Sequence, residues 1–448
     1  MDMNKEAFLE AVRTAGIVGE GGAGFPAHVK YAATADTVIA NGCECEPLLH
    51  TDQHIMRQHG GEIGRAMQAL GDAVGASRRV LALKKKHGEL VPRLREQLAA
   101  FNVELFLLDD FYPAGDEQIL VREVTGRSVP PLGIPLHVGA VVANVGTLRD
   151  VDAALKGIPL SDKYLTVTGE AARPGILRAP LGTPLADCLE ACGGALPARP
   201  VFVIGGPMMG RVVEGLADLA RERVTKTTGG LIVLPSGHPL HRNATLRVDF
   251  MRRRAASACI QCRACSDLCP RRLIGHPFET HMVMRAFAAR NECSETGSQA
   301  AFCCECGVCE QYACPMGMSP RRINQAVKAA MREASLQYSG PRDIREAAIP
   351  AREFRKIPVP RLAARLGIAP YMGLQTPWVG DLAPARVDIP LRQHIGAPAS
   401  PTVAVGAVVK KGDCIGEIPE GALGARIHAG ISGTVTAVGD SITIEVVQ

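Results

Sequence analysis

The chain contains 448 residues, which predicts roughly three domains at about 150 residues each. Its 47% hydrophobic and 21% charged contents are ordinary for a globular protein with apolar cores. The net charge of +5, from 50 basic and 45 acidic residues, is too slight across this length to indicate a nucleic-acid partner. No apolar run approaches the ~18–20 residues that a transmembrane helix requires, so none is expected.

The unusual feature of the composition is its 15 cysteines. A secreted disulfide scaffold would be a short chain behind a signal peptide, whereas this sequence opens MDMNKEAFLEAV, without a continuous apolar segment. Isolated buried thiols would be scattered, but eight of the 15 fall into two tight clusters. The pattern therefore predicts metal ligation in a reducing compartment, and we expect a cytoplasmic protein.

The first motif along the chain is the glycine-rich segment GIVGEGGAGFPAHVK at 16–30. Glycines permit a backbone approach to a bound group that any Cβ would block. A glycine loop that leads into a helix also offers free N–H groups to a phosphate. The Walker lysine and the strand that precedes a dinucleotide fingerprint are both missing, so glycine content alone leaves an ordinary tight turn as the alternative.

Four motifs succeed one another here: GEGGAGFPAHVK, VIANGCECEP, YPAGDEQILVREVTGR and VANVGT. In order and spacing they resemble the flavin- and NADH-binding subunit of respiratory complex I and, more closely, the C subunit of the Rnf electron-transport complex. The resemblance covers about residues 10–150 and implies an FMN-binding α/β domain, which we assign to 1–157. The FMN-binding residues that it implies are Gly19, Gly21, Gly22, Gly24, Asn41, Glu44, Glu46, Asn144 and Thr147. It also implies NADH as electron donor, with a nicotinamide pocket that includes Phe25, Lys30 and Glu117.

The sequence departs from these relatives at four positions. Ala33 and Leu132 stand where the relatives carry aromatic residues, which leaves fewer rings to stack on a nicotinamide. Cys43 and Cys45 replace the Asp and Ser of the corresponding complex I protein. A metal pair is the alternative for these two thiols, although their C-x-C spacing has no partner pair nearby.

The segment 158–215 combines two strands, a Pro-Gly turn and a short helix in a β-grasp-like pattern. It resembles the soluble-ligand-binding β-grasp (SLBB) domain that follows the flavin domain in the same relatives. Both a vitamin-binding role and a spacer role are open for it. Cys188 and Cys192 share one face of the helix and are expected to be buried thiols, and residues 216–249 are predicted to be a connector.

Two cysteine runs follow within a predicted helical domain at 250–335. The first has the spacing C-x2-C-x2-C-x3-C-P, typical of bacterial ferredoxins, and the second is C-x2-C-x2-C-x4-C-P. In two-cluster ferredoxins the fourth Cys of each run ligates the other cluster. Exchange of this kind predicts two [4Fe–4S] clusters with the ligand sets Cys259, Cys262, Cys265, Cys314 and Cys303, Cys306, Cys309, Cys269.

The alternative for these runs is a pair of structural zinc sites, because CxxC pairs also bind zinc. In the cluster interpretation Cys304 is a bystander, since a register that starts there leaves a one-residue gap to Cys306. The insert between the runs carries helical periodicity. His276 and His281 lie on that insert, and we expect surface or capping roles for them rather than ligation.

The remaining chain divides into a Pro- and Arg-rich linker at 336–385 and a C-terminal domain at 386–448. The latter consists of short Val- and Ile-rich strands punctuated by glycine, which predicts an all-β fold. It resembles the barrel-sandwich hybrid fold of biotinyl and lipoyl domains. No lysine occupies the turn at 433–435, so no swinging cofactor is predicted.

The module order, with the barrel-sandwich domain at the C-terminal end, resembles the family of cobalamin reductases from propanediol-utilisation microcompartments. The resemblance implies a flavo-iron–sulfur oxidoreductase that passes electrons from NADH through FMN and two [4Fe–4S] clusters to cobalamin. It implies as partners a corrinoid-handling protein such as an adenosyltransferase, together with a microcompartment shell protein, and as location the microcompartment interior. The alternatives are a ferredoxin or a glycyl-radical activating enzyme as acceptor, or membership of a membrane-bound Rnf-like complex.

Overall fold

The computed structural model describes residues 4–22, 24–345 and 350–446. The N-terminal domain is built on a parallel sheet of four strands in the order β3-β2-β1-β5. Strands β1, β2 and β5 are largely buried because both faces of the sheet are covered there, whereas the edge strand β3 is partly exposed. Its elements are α1 (Lys5–Thr14), α2 (Ala27–Tyr31), β1 (Thr37–Gly42), α3 (Thr51–Val74), β2 (Arg78–Lys84), α4 (Val91–Leu98), β3 (Glu104–Leu108), β4 (Phe111–Tyr112), α5 (Glu117–Thr125), β5 (Ala140–Asn144) and α6 (Val145–Leu155).

The order of these strands marks where the domain can bind a ligand. The chain order reverses between β1 and β5, and open α/β sheets bind ligands outside the carboxyl ends of the strands at such a point. The register places Asn41, near the end of β1, opposite Asn144, the last residue of β5. Two of the predicted FMN residues are therefore neighbours at the switch point of the sheet.

A second sheet of six strands, in the order β12-β7-β6-β10-β8-β9, forms the middle of the molecule. The predicted β-grasp pattern is present in it as β6, β7, α7 and β8. The elements of this part are β6 (Asp162–Gly169), β7 (Gly175–Pro180), α7 (Leu185–Ala191), β8 (Pro200–Ile204), β9 (Arg211–Glu214), α8 (Gly215–Leu219), β10 (Gly230–Pro235), α9 (Pro239–Ala244) and, after the cysteine runs, β11 (Ile357–Pro358), α16 (Val359–Leu366) and β12 (Trp378–Asp381).

Here the structure differs from the predicted connector at 216–249 and the predicted linker at 336–385. Strand β10 lies inside the sheet between β6 and β8, because its apolar run GLIVLP is buried there. Strand β12 adds to the edge at β7, where Trp378 stacks on His54 at 5.1 Å between ring centroids. Strand β11 pairs with β4 of the N-terminal domain. Both segments are therefore structural members of the fold, held by pairings to residues distant in sequence.

The helical domain lies between β10 and β11 in the chain. Its core consists of Met, Phe, Ala and Val side chains from α10, α13 and α15, together with Phe302 and Tyr338. The helices are α10 (Val248–Ala258), α11 (Ala264–Asp267), α12 (Pro270–Leu273), α13 (Thr280–Ala288), α14 (Glu295–Ser298) and α15 (Pro320–Glu333). A six-residue π-helical turn at Val308–Ala313 precedes α15.

The C-terminal domain is all-β, as predicted. A four-stranded sheet β13-β19-β18-β15 and a three-stranded sheet β14-β16-β17 enclose a core of Val, Ile and Ala. The strands are β13 (Arg386–Pro390), β14 (Ser400–Pro401), β15 (Val408–Val409), β16 (Cys414–Glu417), β17 (Ile427–His428), β18 (Gly433–Val438) and β19 (Ser441–Glu445). Within the three ranges that the structure covers, no helix combines the length and apolar content needed to cross a membrane.

Candidate functional site

The two asparagines at the switch point are both held in place by hydrogen bonds. Asn41 Nδ2 donates to the carbonyl oxygen of Gly115 at 2.8 Å, and its Oδ1 accepts from the Cys43 N–H at 3.1 Å. Asn144 caps α6 by accepting from the Gly146 N–H at 2.7 Å, and its Nδ2 donates to Asp52 at 3.0 Å. The YPAGDEQ and VANVGT motifs thus meet at one edge of the sheet.

The glycine-rich loop lies against the start of α6. The Glu20 N–H donates to Thr147 Oγ1 at 3.0 Å, and a Cβ on Gly21 would lie 3.6 Å from Asn144 Cβ. A Cβ on Gly22 would meet no atom within 4 Å, so the backbone is open there. An open glycine backbone beside a helix N-terminus at a switch point fits a phosphate-bearing cofactor such as FMN.

Two other glycines of the loop serve the fold. The Gly19 N–H donates to the Phe25 carbonyl at 2.9 Å, which closes the loop on itself. Gly24 has a φ of +73° and its Cα faces His394 of the C-terminal domain, where an added Cβ would come within 3.0 Å of the His394 Cα. Of the predicted glycines, Gly21 and Gly22 border the open space, whereas Gly24 is at a domain contact.

The residues predicted for the nicotinamide pocket lie near the surface. Lys30 Nζ, on α2, donates to Glu117 Oε1 of α5 at 2.5 Å. This pair joins the helix after the glycine loop to the helix that Asp116 caps. The Phe25 side chain is 39% exposed. The structure therefore brings Lys30 and Glu117 together, and leaves the ring of Phe25 partly open to solvent.

The two acidic residues of the NGCECEP segment have different surroundings. Glu44 Oε1 accepts from the Glu46 N–H at 3.1 Å, and burial raises the pKa of Glu44 to about 7. The Glu46 carboxylate accepts the N–H groups of Met208 and Met209 in the middle domain at 2.8 and 2.9 Å. Burial also raises the pKa of Glu46 to about 7. Glu46, predicted as an FMN residue, is thus occupied in tethering two domains.

Sequence reasoning missed several buried charged groups around this site. Asp52 is buried beside Asn144, and burial raises its pKa well above the ordinary value. Glu20 forms a buried ion pair with Lys163 of the middle domain. Lys84, 1% exposed at the end of β2, lies 3.1 Å from Asp110. Of these groups, only Lys84 could have been predicted from sequence, because it lies at the carboxyl end of a strand. The Asp52–Asn144 and Glu20–Lys163 pairs join segments that are distant in the chain.

The thiols of the first run gather at one pocket with a thiol from the second. Cys259, Cys262, Cys265 and Cys314 line this pocket, together with Ile260 and Met316 among other side chains. Cys314 Sγ accepts from the Met318 N–H at 3.4 Å. Four thiols at one pocket are the donor set of a [4Fe–4S] cluster. This grouping is the exchanged set that the spacing predicts.

The two runs share an unusual backbone conformation. In the first run Gln261 and Arg263 have left-handed φ values of +54° and +65°. In the second run Glu305 and Gly307 have φ values of +61° and +81°. Non-glycine residues rarely adopt this region, so the match aligns the runs residue by residue. It places Cys303 opposite Cys259, which supports the register that treats Cys304 as an extra thiol.

The second run contains one more residue before its last cysteine, and a π-helical turn accommodates it. The first run reaches Cys269 through the α-helical turn of α11, whereas the second reaches Cys314 through the π-helical residues 308–313. A π turn bonds residues five apart instead of four, so it absorbs a single insertion. The extra residue therefore leaves the relative placement of the two fourth cysteines intact.

Two contacts attach the second-run ligand set to the switch-point edge, one through the second run itself and one through the segment after Cys269. Tyr112 Oη donates to the Cys306 carbonyl at 2.6 Å. Arg271, two residues after Cys269, donates to both oxygens of Asp116 at 2.7 and 2.9 Å. Asp116 lies in the YPAGDEQ motif next to Gly115, the partner of Asn41. The second-run thiols are therefore adjacent to the candidate flavin edge.

Among the residues that the structure describes, the remaining cysteines lie outside the first-run pocket, whereas His281 is one of the residues that line it. Cys188 and Cys192 are buried in the middle domain, as expected, and Cys293 and Cys414 are exposed. Cys45 Sγ lies 2.6 Å from the Gly115 nitrogen, beside buried Cys43. His281 bonds Ser266. His276 differs from the expected surface or capping role, because it is 2% exposed and contacts the Val129 carbonyl of the N-terminal domain at 2.9 Å.

Four protein-family models match successive parts of the chain. They are the Nuo51 FMN-binding domain at residues 12–153, the SLBB domain at 164–212, the 4Fe-4S dicluster domain at 258–319 and the RnfC barrel sandwich hybrid domain at 378–447. They confirm the predicted multidomain fold class and the cofactors FMN and [4Fe–4S]. The chain of an NAD⁺-reducing [NiFe]-hydrogenase in the H2-reduced state shares the fold, with a TM-score of 0.50 and 23% identity over 76% of this chain and 64% of that chain.

Curated relatives match over nearly the whole length. Cobalamin reductase PduS of Salmonella typhimurium is 41% identical over 99% of this chain and 97% of its own, and that of Citrobacter freundii is 41% identical over 98% and 96%. The C subunit of the Na⁺-translocating ferredoxin:NAD⁺ oxidoreductase complex of Acetobacterium woodii is 32% identical over 60% and 59%. The chain is therefore a flavo-iron–sulfur electron-transfer oxidoreductase that belongs to the PduS cobalamin reductase family.

Proposed function

We propose that this protein transfers electrons from NADH to the cobalt of cobalamin, in the order FMN, second-run cluster, first-run cluster. FMN supplies the conversion of an electron pair, received as hydride, into the single electrons that [4Fe–4S] clusters carry. The name of the full-length relatives supports cobalamin as the acceptor.

The chain's own residues supply the binding and the positioning. FMN is held at the switch point by the open backbone of Gly21 and Gly22, by Asn41 and by the Asn144–Thr147 start of α6. Glu44 is partly buried close by, and its raised pKa of about 7 lets this carboxyl hold a proton near neutral pH. Lys30 and Glu117 border the side from which a nicotinamide nucleotide would enter.

One observation carries the order of the clusters. The second-run ligand set adjoins the switch-point edge at Cys306, which Tyr112 contacts, and beside Cys269, where Arg271 pairs with Asp116. The thiols of the first-run set line a pocket at which Cys262 and Ile260 are exposed. One set is therefore next to the flavin edge, and the other faces solvent, where an external acceptor can reach it.

The partners follow from the same proposal. The cobalamin is presented by a corrinoid-handling protein, such as an adenosyltransferase, and the reaction takes place inside a propanediol-utilisation microcompartment with a shell protein as neighbour. Co-purification of tagged full-length protein with these components from microcompartment preparations tests this. Recovery of the protein only from the free cytosolic fraction would refute the location.

The cofactor content is the first test. Anaerobically reconstituted protein should contain about eight irons and one FMN, because two cubanes and one flavin require them. Tightly bound zinc at the cysteine runs, with iron absent, would contradict the electron-transfer proposal.

The exchanged ligation is tested with two alanine variants and a control. Cys269→Ala should perturb the cluster held mainly by the second run, and Cys314→Ala the cluster held mainly by the first, as read from their separate EPR signals. Cys293→Ala, which removes an exposed thiol outside both runs, should leave both signals intact. Loss of the signal from the same-run cluster in each variant would overturn the assignment.

The acceptor is tested by competition. Anaerobic NADH oxidation is followed with cob(III)alamin, cob(II)alamin and a ferredoxin offered together, and the reduced product of each is quantified. The proposal predicts that the corrinoids are reduced in preference to the ferredoxin. Preferential reduction of ferredoxin would assign the protein the alternative, Rnf-like activity.

A further inference from the structure

The positive charge of this protein is concentrated in its cysteine-rich domain. Residues 250–335 contain 12 of the 50 Lys and Arg residues and 7 of the 45 Asp and Glu residues, which gives them a net charge of +5. The rest of the chain contains 38 of each sign and is neutral. The net charge of the whole protein is therefore that of its cluster-bearing domain.

Four arginines that we call the basic rim surround the first-run pocket: Arg254, Arg263 and Arg285 of this domain, and Arg365 of α16. Arg263 lines the pocket, and each of the other three donates to a residue that lines it. Arg285 donates to Gln261 Oε1 at 2.6 Å, Arg365 to the Cys314 carbonyl at 3.1 Å, and Arg254 to the carbonyls of Met316 and Gly317 at 3.0 and 3.1 Å.

The rim has few acidic partners of its own. Arg263 lies 3.5 Å from Glu279. Among the residues that the structure describes, Arg254, Arg285 and Arg365 form no salt bridge; their hydrogen bonds go to neutral oxygens. Their charges are thus held in fixed positions by neutral acceptors and are free to pair with an external carboxylate.

Apolar side chains lie inside the rim. Ile260 is 60% exposed and Met316 is 39% exposed. An apolar centre within a charged rim is the usual anatomy of a protein–protein interface. A small neutral molecule would gain little from such a rim, whereas an acidic protein would be steered and oriented by it.

The internal symmetry of the domain indicates how this face is used. The matched backbones of the two runs place Ile260 opposite Cys304. Cys304 packs in the hydrophobic cluster that joins the second run to Tyr112 and the middle domain. The second run therefore uses this face to contact the part of the protein that bears the flavin edge, and the first run presents the equivalent face to solvent.

We propose that the basic rim and Ile260 form the docking surface for an acidic redox protein. This inference rests on the proposed function, in which electrons leave through the first-run cluster. In the step itself one electron passes to the docked partner, so the cluster is oxidised by one electron and the partner is reduced by one. In the proposed function this partner carries the cobalamin whose cobalt accepts the electron, so we expect the carrier protein to be acidic.

Binding is tested separately from electron transfer. Full-length reconstituted protein is titrated calorimetrically with an oxidised acidic ferredoxin, an acidic flavodoxin and the basic protein cytochrome c. At low ionic strength we expect at least one acidic protein to bind and cytochrome c not to bind. The affinity should fall at least about tenfold at ~0.5 M salt, where exposed charges are screened.

The rim is tested with the double variant Arg285→Gln and Arg365→Gln, which should weaken the acidic protein's binding about tenfold. The matched control changes Arg93 and Arg95, two exposed arginines on α4 of the N-terminal domain, to Gln and should bind as the wild type does. Binding of neither acidic protein, equal binding by the rim variant, or preference for cytochrome c would overturn the proposal.

NADH-dependent bleaching of the clusters, recorded on the same preparations without partner, separates the two proposals. Salt-sensitive binding of the acidic protein without bleaching would retain the docking surface and refute the proposed function. Bleaching of the clusters by NADH without binding of an acidic protein would support the proposed function and refute the docking surface.

Discussion

Removal of Arg271 should loosen the attachment of the Cys269 segment, which supplies one ligand of the second-run set, to the flavin edge. The Arg271 and Asp116 side chains are 10% and 15% exposed and form two hydrogen bonds at 2.7 and 2.9 Å. Removing one partner of such a buried pair costs about 3–5 kcal/mol. In Arg271→Met the Asp116 carboxylate still accepts hydrogen bonds from the Gln118 and Ile119 N–H groups, as the cap of α5. Because the carboxylate is not left without partners, we expect a cost at the lower end of this range, about 3 kcal/mol.

The assay is native-state hydrogen exchange of the α5 amides, because local opening of this contact exposes them without global unfolding. A cost of about 3 kcal/mol corresponds to an increase of more than 100-fold in the opening equilibrium. The matched variant is Asp116→Asn, since Asn caps a helix as well as Asp does and removes only the charge. Asp116→Asn leaves the Arg271 guanidinium without a charged partner and should accelerate hydrogen exchange of the α5 amides to a similar extent.

The double variant, Arg271→Met with Asp116→Asn, shows whether the two charges stabilise the contact as a pair. With both charges removed, no uncompensated charge is buried, so the two single effects should not add, and we expect a coupling energy of about 2–3 kcal/mol. Flavin-to-cluster electron transfer, followed by stopped flow, should slow in both single variants and recover in part in the double variant. Additive effects on exchange, with coupling below about 0.5 kcal/mol, would refute an energetic role for this pair.

Three further outcomes are expected. Cys303→Ser should lose one cluster, whereas Cys304→Ser should retain both; the reverse result, read from iron content and EPR, would contradict the aligned register. Burial raises the pKa of Glu46 to about 7 from an ordinary 4.5, so ionisation opposes its packing against Met208. The difference in thermal midpoint, wild type minus Glu46→Gln, should therefore decrease as the pH rises from about 4.5 to about 7, and should stay constant above pH 7. A difference that does not change with pH would exclude this titration. Deletion of Ala313 should convert the π turn into an α turn and preserve both clusters, and loss of iron on deletion would indicate that the extra residue is required.

The site elements that could be predicted from sequence are those carried by local motifs. The cysteine runs lie in short segments whose spacing reflects the geometry of one cluster, so the exchanged sets can be predicted from that spacing alone. Asn41 and Asn144 were identified through a family resemblance, and the strand order gives the physical reason for their proximity. Local sequence therefore carried most of the candidate ligand set.

Long-range pairings were not predictable in the same way. Glu46 resembles a flavin residue in its motif, but its carboxylate is used by two N–H groups that lie 162 and 163 residues away in the chain. Strand β12 is flanked by prolines and arginines that read as a linker, and only the edge of β7 makes it a strand. No local pattern records which distant segment will supply the partner.

The position of the helical domain between β10 and β12 has a consequence for the biosynthesis of the protein. Five strands of the middle sheet precede all eight cysteines of the two runs in the chain, and the sixth follows them. During translation the edge of β7 remains uncovered until residues 378–381 have emerged, and an uncovered edge invites pairing with other chains. Both cysteine runs are therefore synthesised while the edge of β7 is still uncovered, so the two tasks of protecting this edge and protecting eight free thiols coincide in the nascent chain.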